Sequence, residues 1–443
     1  MDKIISFFKV FIFCVVIGNC FETTIAEGNI TIIRDAETEE FLTEITQHIF
    51  EVAGLRKKSV KLYIVNSDSI NAFTTGNGYV FVTTGLLLKF NKNPLHLIAV
   101  LCHETGHLAG GHIDRMINRI QNSGTNMMMA MLAGIVGGLA TGSEEAMAIL
   151  LGYAMTDERL FLRFSRDQEL AADALGASYM EKMGYDSHAM IEVFAEFERM
   201  EILSGGINLP TYVRTHPKSI DRIMALQKRE SKKKMECSKE LVAKYRRITA
   251  KLKSYMNNNR LYDEIPAEDY PKAIFLHQRG KSKEAIDILK QLIKKDPKDI
   301  YYKEALAQVL SESGKLQEAI RYYQEIYSDK LSALIKIDYA KALVQNKNFD
   351  RAIKILENVK YEDHVNPEIF RLLAAAYGQK GRKGLSFFML AQEQILLQNY
   401  QKAYNLLKSS ISLMDSKIEK SYINKAKFFK QVLERNKKYS DGV

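Results

Sequence analysis

Leu97-Ile98-Ala99-Val100-Leu101-Cys102-His103-Glu104-Thr105-Gly106-His107 is the stretch that organises the chain. The apolar run predicts a buried helix over 97–116, and its later part sets two histidines four residues apart. Four residues advance a helix by about 400°, so the two imidazoles fall within about 40° and can grip one metal ion. Glu104 stands about a quarter turn away, where it can reach a water without ligating. The competing reading is an amphipathic helix that happens to carry a surface histidine. With only nine histidines in 443 residues, that coincidence is uncommon.

A catalytic zinc takes three protein ligands and keeps one position open. The familiar extension HExxHxxGxxH would place a third histidine ten residues after the first. Gly110 fits that pattern, but Ile113 occupies the ligand position. His112 comes one residue early, about 180° from His103 on a regular helix, and reads as structural or solvent-facing. Another acidic candidate stands in Ser165-Arg166-Asp167-Gln168-Glu169-Leu170-Ala171-Ala172-Asp173. Glu169 could ligate while Asp173, one turn on, holds a ligand histidine through its second ring nitrogen. A charged helix surface with a salt-bridging pair reads equally well from spacing alone.

Around this helix the chain reads as a mixed domain over 27–230. A helix is expected over 38–53, a strand over 60–65 and a second strand at Tyr79-Val80-Phe81-Val82-Thr83 after the turn Gly76-Asn77-Gly78. Gly85-Leu86-Leu87 opens helical structure. The stretch 127–154 is rich in Met, Ala and Gly, each arm too short to span a bilayer. It reads as a plug, lid or substrate-contact element, or else as adaptable core.

Further on the sequence repeats. Gly280-Lys281-Ser282-Lys283-Glu284-Ala285-Ile286 returns 34 residues later as Gly314-Lys315-Leu316-Gln317-Glu318-Ala319-Ile320. A third copy begins at Asn348, and a fourth, from Asn399, is displaced behind a more irregular segment at 378–384. That period belongs to the tetratricopeptide repeat, in which helix pairs stack into a superhelix with a concave face. The fold class is thus α+β and mostly helical, with a small sheet in the first domain and an all-α repeat domain over 266–440.

At the start, Lys3, an apolar run from Ile4 to Ile17 and Thr24-Ile25-Ala26 read as a secretory signal peptide over 1–26, removed after export. A retained anchor is the alternative. The net charge of +10 suits acidic surfaces generally, and no nucleic-acid-binding module is recognisable. Basic residues crowd the stretch 231–265, which reads as a solvated helical connector, with peripheral membrane contact as the alternative. Cys102 and Cys237 alone survive removal of the leader, too few for a disulfide framework.

His103-Glu104-Thr105-Gly106-His107, followed some sixty residues later by Glu169 and Asp173, closely resembles the HtpX and CAAX-prenyl-protease group of zinc metallopeptidases. The resemblance implies a zincin-type fold, one zinc held by His103, His107 and Glu169, and Glu104 as general base. Asn71-Ala72-Phe73 and Tyr79-Val80-Phe81 look like the strand that receives substrate backbone in that group. The leader and the repeats narrow the likeness to BepA-like periplasmic protease–chaperones. By that likeness, Thr215-His216-Pro217 makes His216 a gating fourth ligand or an oxyanion stabiliser, with Arg222 assisting. A turn histidine before a proline is the plain alternative. The likeness also implies a periplasmic location, unfolded or misassembled proteins as substrates, and envelope assembly machinery as partner of the repeats.

Overall fold

The computed structural model describes residues 31–55, 61–74, 79–112, 115, 165–203, 212–213, 216, 220–229, 236–255, 268–364 and 366–440. The leader expected at 1–26 and the methionine-rich stretch at 127–154 lie outside them. The described residues up to 255 belong to one compact unit, and those from 268 to another.

The first unit opens with β1 (Thr31–Ile33) and α1 (Ala36–Val52), followed by β2 (Lys61–Asn66), β3 (Ala72–Thr74) and β4 (Tyr79–Thr83). The sheet order is β1-β2-β4-β3, with β2 and β4 parallel and the outer pairs antiparallel. Alternation sends Leu62, Ile64, Val80, Val82 and Ala72 into the core shared with the helices. Tyr63, Phe73 and Phe81 stack on one another instead, with ring centroids 4.8 and 5.6 Å apart. Val80 and Phe81 on β4 are paired on both sides, so they have no edge to offer a guest strand. Among the described residues, β3 is the outer strand on that side of the sheet.

Next come α2 (Thr84–Lys89), α3 (Pro94–Ala109), α4 (Arg166–Lys182), α5 (Ala189–Leu203), α6 (Ile220–Gln227) and α7 (Lys239–Tyr255). Helix α3 carries the histidine pair. Asn93 caps its start, accepting from the Leu95 amide at 3.0 Å, and Pro94 supplies a fixed φ at the first turn. The helix stops at Ala109, earlier than the expected 116, because Gly111 turns left-handed at φ 62°.

The basic stretch expected as a solvated connector forms α7 and enters the core of this unit. Tyr245 is fully buried, stacks on Phe41 at 5.8 Å and donates its hydroxyl to the Leu87 carbonyl at 3.0 Å. Lys251, only 1% exposed, reaches Asp35 at 2.6 Å and Glu37 at 3.3 Å, and Arg247 meets Glu37 at 2.6 Å. A composition rich in lysine hid an apolar stripe with a buried ion cluster beneath it.

The second unit is a run of antiparallel helices: α8 (Asp269–Gln278), α9 (Ser282–Lys295), α10 (Ile300–Glu312), α11 (Leu316–Ile326), α12 (Ala333–Gln345), α13 (Phe349–Glu362), α14 (Pro367–Gln379), α15 (Lys383–Leu396), α16 (Tyr400–Leu413) and α17 (Lys420–Ser440). Short turns join the helices of each pair, and a left-handed residue stands in five of them: Gly280, Gly314, Lys347, Gly381 and Gln398. The segment 378–384, expected to be irregular, is one of these ordered turns. From Lys347 to Gly381 is one repeat, but from Gly381 to Gln398 is only 17 residues, half of one. Helix α15 therefore closes one pair with α14 and opens the next with α16, which explains the displaced fourth copy. Among the described residues no helix is long and apolar enough to cross a membrane.

Burial alone would raise the pKa of Asp35, but the Lys251 ammonium and the Thr38 hydrogen bonds pull it below the usual carboxylate value. A depressed pKa contributes stability that is present above the unfolded value near 3.8 and lost as pH falls below it. Lys251→Ala should cost about 3–5 kcal/mol, since it strands the buried Asp35 carboxylate and leaves Glu37 with Arg247 alone, whereas exposed Lys239→Ala should change little. Urea unfolding at pH 7 and again near pH 3 measures both effects, and the gap between the two variants should narrow in acid.

Candidate metal centre

Helices α3 and α4 cross at two glycines. A Cβ on Gly106 would stand 2.6 Å from the Ala172 carbonyl oxygen, and one on Gly176 would stand 3.0 Å from the His103 amide nitrogen. Both neighbours are backbone and cannot swing aside. The close approach carries Glu169 and Asp173 from α4 onto the histidines of α3. Ser165 and Gln168 form a capping box that fixes where α4 begins, one turn from Glu169.

Four donor atoms converge there. His103 Nε2 lies 3.0 Å from His107 Nε2 and 3.3 Å from His216 Nδ1. Glu169 Oε1 lies 3.0 Å from His216 Nδ1 and 3.3 Å from His107 Nε2. Zinc bonds of about 2.0–2.1 Å in a tetrahedron set neighbouring ligands about 3.3 Å apart, and these separations match. All four residues are buried, and their donor atoms lie within 4.8 Å of one another.

The shell behind them fixes which atom faces inward. Asp173 Oδ1 accepts from His103 Nδ1 at 2.9 Å, leaving the His103 Nε2 lone pair pointed at the centre. His107 Nδ1 is 3.1 Å from His112 Nδ1. The expectation of a structural or solvent-facing His112 resolves to a buried brace for His107, made possible by the break in the helix at Gly111.

Arg222, 1% exposed, binds both oxygens of Asp173 at 2.6 and 2.8 Å, reaches Glu169 Oε2 at 2.8 Å and lies over the Phe194 ring at 4.7 Å. Its third nitrogen donates to the His216 carbonyl at 3.4 Å. Through these contacts Arg222 ties the ligand carboxylates to His216, and its guanidinium braces the turn bearing that histidine.

The charges also ask for a cation. Glu104, Glu169 and Asp173 are buried carboxylates against one buried guanidinium, so with neutral imidazoles the centre is two negative charges in excess. Burial opposes protonation of His103, yet Asp173 and Glu169 raise its pKa to about 9. Burial drives His107 down to about 2, the neutral form that ligates. Burial would raise Glu169, but His216, His103 and His107 hold its carboxyl far below the usual range. Burial raises Glu104, a shift partly offset by His216 and His103. Its Oε1 has no hydrogen-bond partner among the described residues and stands 3.4 Å from His216 Nε2. The residues present fit a tetrahedral divalent metal with a carboxylate base beside it.

Residues 36–230 match the model of peptidase family M48. The chain carries an M48 peptidase domain and is a metalloendopeptidase. Residues 310–376 match a tetratricopeptide repeat model, within the helical array described above. The β-barrel assembly-enhancing protease of Escherichia coli K12 is 23% identical over 429 residues, 93% of this chain and 87% of that one. The protein of the same name from Yersinia pestis is 23% identical over 393 residues, 85% and 79% of the two chains. Protease HtpX of Acinetobacter baylyi is 28% identical over 223 residues, 43% of this chain and 72% of its own.

The structure brings together every metal and base residue expected from sequence: His103, Glu104, His107, Glu169, Asp173 and His216. Sequence reasoning missed Gly176, Phe194 and Tyr212. Gly176 could have been found, because it follows Glu169 by seven residues and so returns to the same helix face. Gly176→Ala should force the two ligand helices apart, costing about 1–3 kcal/mol and loosening the metal. Metal retention against a chelator checks this, with exposed Ala171→Ser expected to behave as the unaltered chain.

Proposed function

We propose that the chain is a zinc-dependent endopeptidase of the periplasm that hydrolyses misfolded or misassembled envelope proteins, with the repeat unit docking its partners. The observation that carries this reading is the buried His103, His107, Glu169 and His216 cluster with the unpartnered Glu104 oxygen beside it. Bound there, zinc polarises the scissile carbonyl and eases deprotonation of a water. Glu104 Oε1 takes the proton of the attacking water and passes it to the leaving amine. Asp173 and Arg222 keep the ligands oriented while charge moves.

Substrate backbone adds at β3, whose outer edge runs beside the metal helix, since Thr74 donates its hydroxyl to the Glu104 carbonyl at 3.4 Å. Buried Asn71 Oδ1 has no hydrogen-bond partner among the described residues and can accept from a substrate amide there. Likeness to proteases named for enhancing β-barrel assembly, over most of both chains, supports envelope proteins as clients. The leader expected over 1–26 supports export.

A second reading has its own observation. His216 Nδ1 supplies a fourth donor at ligand distance, and a fourth strong ligand fills the position a catalytic metal keeps open. The chain would then act mainly as a chaperone or assembly adaptor, with hydrolysis held latent until His216 leaves.

Purified chain, assayed for bound zinc and for cleavage of an unfolded reporter protein, separates the readings. Glu104→Gln should keep one zinc per chain and lose cleavage by at least about 100-fold. His216→Ala should cleave faster than the unaltered chain if the latch dominates, and slower if His216 steadies the oxyanion. Cleavage unaffected by Glu104→Gln would overturn the enzymatic assignment of this site.

A further inference from the structure

The imidazoles of His103, His107 and His216 are each backed by a different kind of group. Asp173 holds His103 through a carboxylate oxygen, and the Tyr212 ring stacks on His216 with centroids 4.5 Å apart. His107 is backed by another imidazole, that of His112, whose Nδ1 lies 3.1 Å from His107 Nδ1. The planes of these two rings stand 77° apart, so they meet nitrogen to nitrogen and not face to face. His112 is 3% exposed, although it lies beyond the end of α3.

The proton between those nitrogens has one assignment. His107 Nε2 lies 3.0 Å from His103 Nε2 and 3.3 Å from Glu169 Oε1, so its lone pair faces the metal position. A neutral imidazole has one N–H, which for His107 must then stand on Nδ1. His112 Nδ1 is therefore the acceptor, and His112 carries its own proton on Nε2. The bond made by one ring nitrogen of a ligand histidine sets which nitrogen meets the metal, and here an imidazole makes it.

The backbone is shaped to deliver that ring. On a regular helix five residues advance about 500°, which would leave His112 about 140° round from His107. Gly111 instead takes φ 62°, which glycine adopts without steric cost, and returns the next side chain to the His107 side. Gly110 leaves the space that the ring fills, since a Cβ there would stand 2.7 Å from His112 Nε2. The Arg115 guanidinium donates to the Gly110 carbonyl at 2.7 Å and pins the turn.

We propose that His112 is a positioning residue for the metal: its Nδ1 accepts the Nδ1 proton of His107, which fixes the tautomer and ring angle that aim His107 Nε2 at the ion. The proposal rests on the metallopeptidase reading of the cluster. It differs from a packing role, because it asks for an acceptor at Nδ1 and not for the bulk of a ring. Asparagine can place its amide oxygen near that point, whereas phenylalanine fills the space and accepts nothing.

The test compares the full chain with His112→Asn and His112→Phe, each stripped of metal and titrated with zinc against a competing chelator. His112→Phe should bind zinc about 10–100-fold more weakly, and His112→Asn should restore most of that affinity. All three metal-free chains should melt at the same temperature. Undiminished zinc binding by His112→Phe would overturn the proposal, and so would equal weakening in both variants. Early melting of metal-free His112→Phe would also overturn it, by making the residue a packing element. Failure of the underlying reading looks different, since the unaltered chain would then take up no zinc whatever stands at position 112.

Discussion

Everything at the metal centre depends on how closely α3 and α4 can approach. Backbone meets backbone at Gly106 and again at Gly176, one glycine from each helix. With the axes that close, Glu169 on α4 comes within 3.4 Å of His103 and 3.3 Å of His107 on α3. The same proximity lets Asp173 set the ring of His103, and from Asp173 the constraint passes outward. Arg222 grips Asp173 and Glu169 together, Phe194 backs the guanidinium, and the His216 carbonyl hangs from its third nitrogen. One steric allowance thus positions residues from four separate segments of the chain.

Burial and charge work against each other at this centre. Three carboxylates buried with one guanidinium would be costly alone, and a divalent cation removes the excess. Oxygens and nitrogens committed to Arg222, Asp173 or His112 hold the donors still, while Glu104 Oε1 is left uncommitted. Rigidity and one free acceptor are what proton transfer asks of such a centre. A comparable cluster around Lys251 has no uncommitted acceptor in the same role and serves to fasten α7 to the start of α1.

Legibility in the sequence followed periodicity. His103 and His107 stand one turn apart, as do Glu169 and Asp173, and the repeats recur at a fixed interval, so each could be read without knowing what lay opposite. Contacts between distant segments left weaker traces. Nothing local to Tyr212 or Phe194 announces a partner, because their roles depend on segments that only the fold brings near. The basic stretch containing Lys251 misled for a related reason: its composition describes the solvent face of α7, whereas its packing is set by Tyr245, Ile248 and Leu252 on the other. Pairing in the sheet was also unreadable locally. β4 looks like any exposed strand until β2 and β3 are seen to flank it.

Helix α15 belongs to two pairs at once, with Ser386 donating to the Ala374 carbonyl of α14 at 2.8 Å and Gly384 pressed against the Met414 backbone beyond α16. Repeat arrays evolve by gaining or losing whole pairs, because each pair contacts only its neighbours. The pairs α8 with α9, α10 with α11 and α12 with α13 are free to be duplicated or lost in that way. A shared helix removes the freedom, since taking out either pair strips the other of half its interface. The segment from α14 to α16 therefore stands as one block of three helices that cannot give up a pair without uncovering the face of the other.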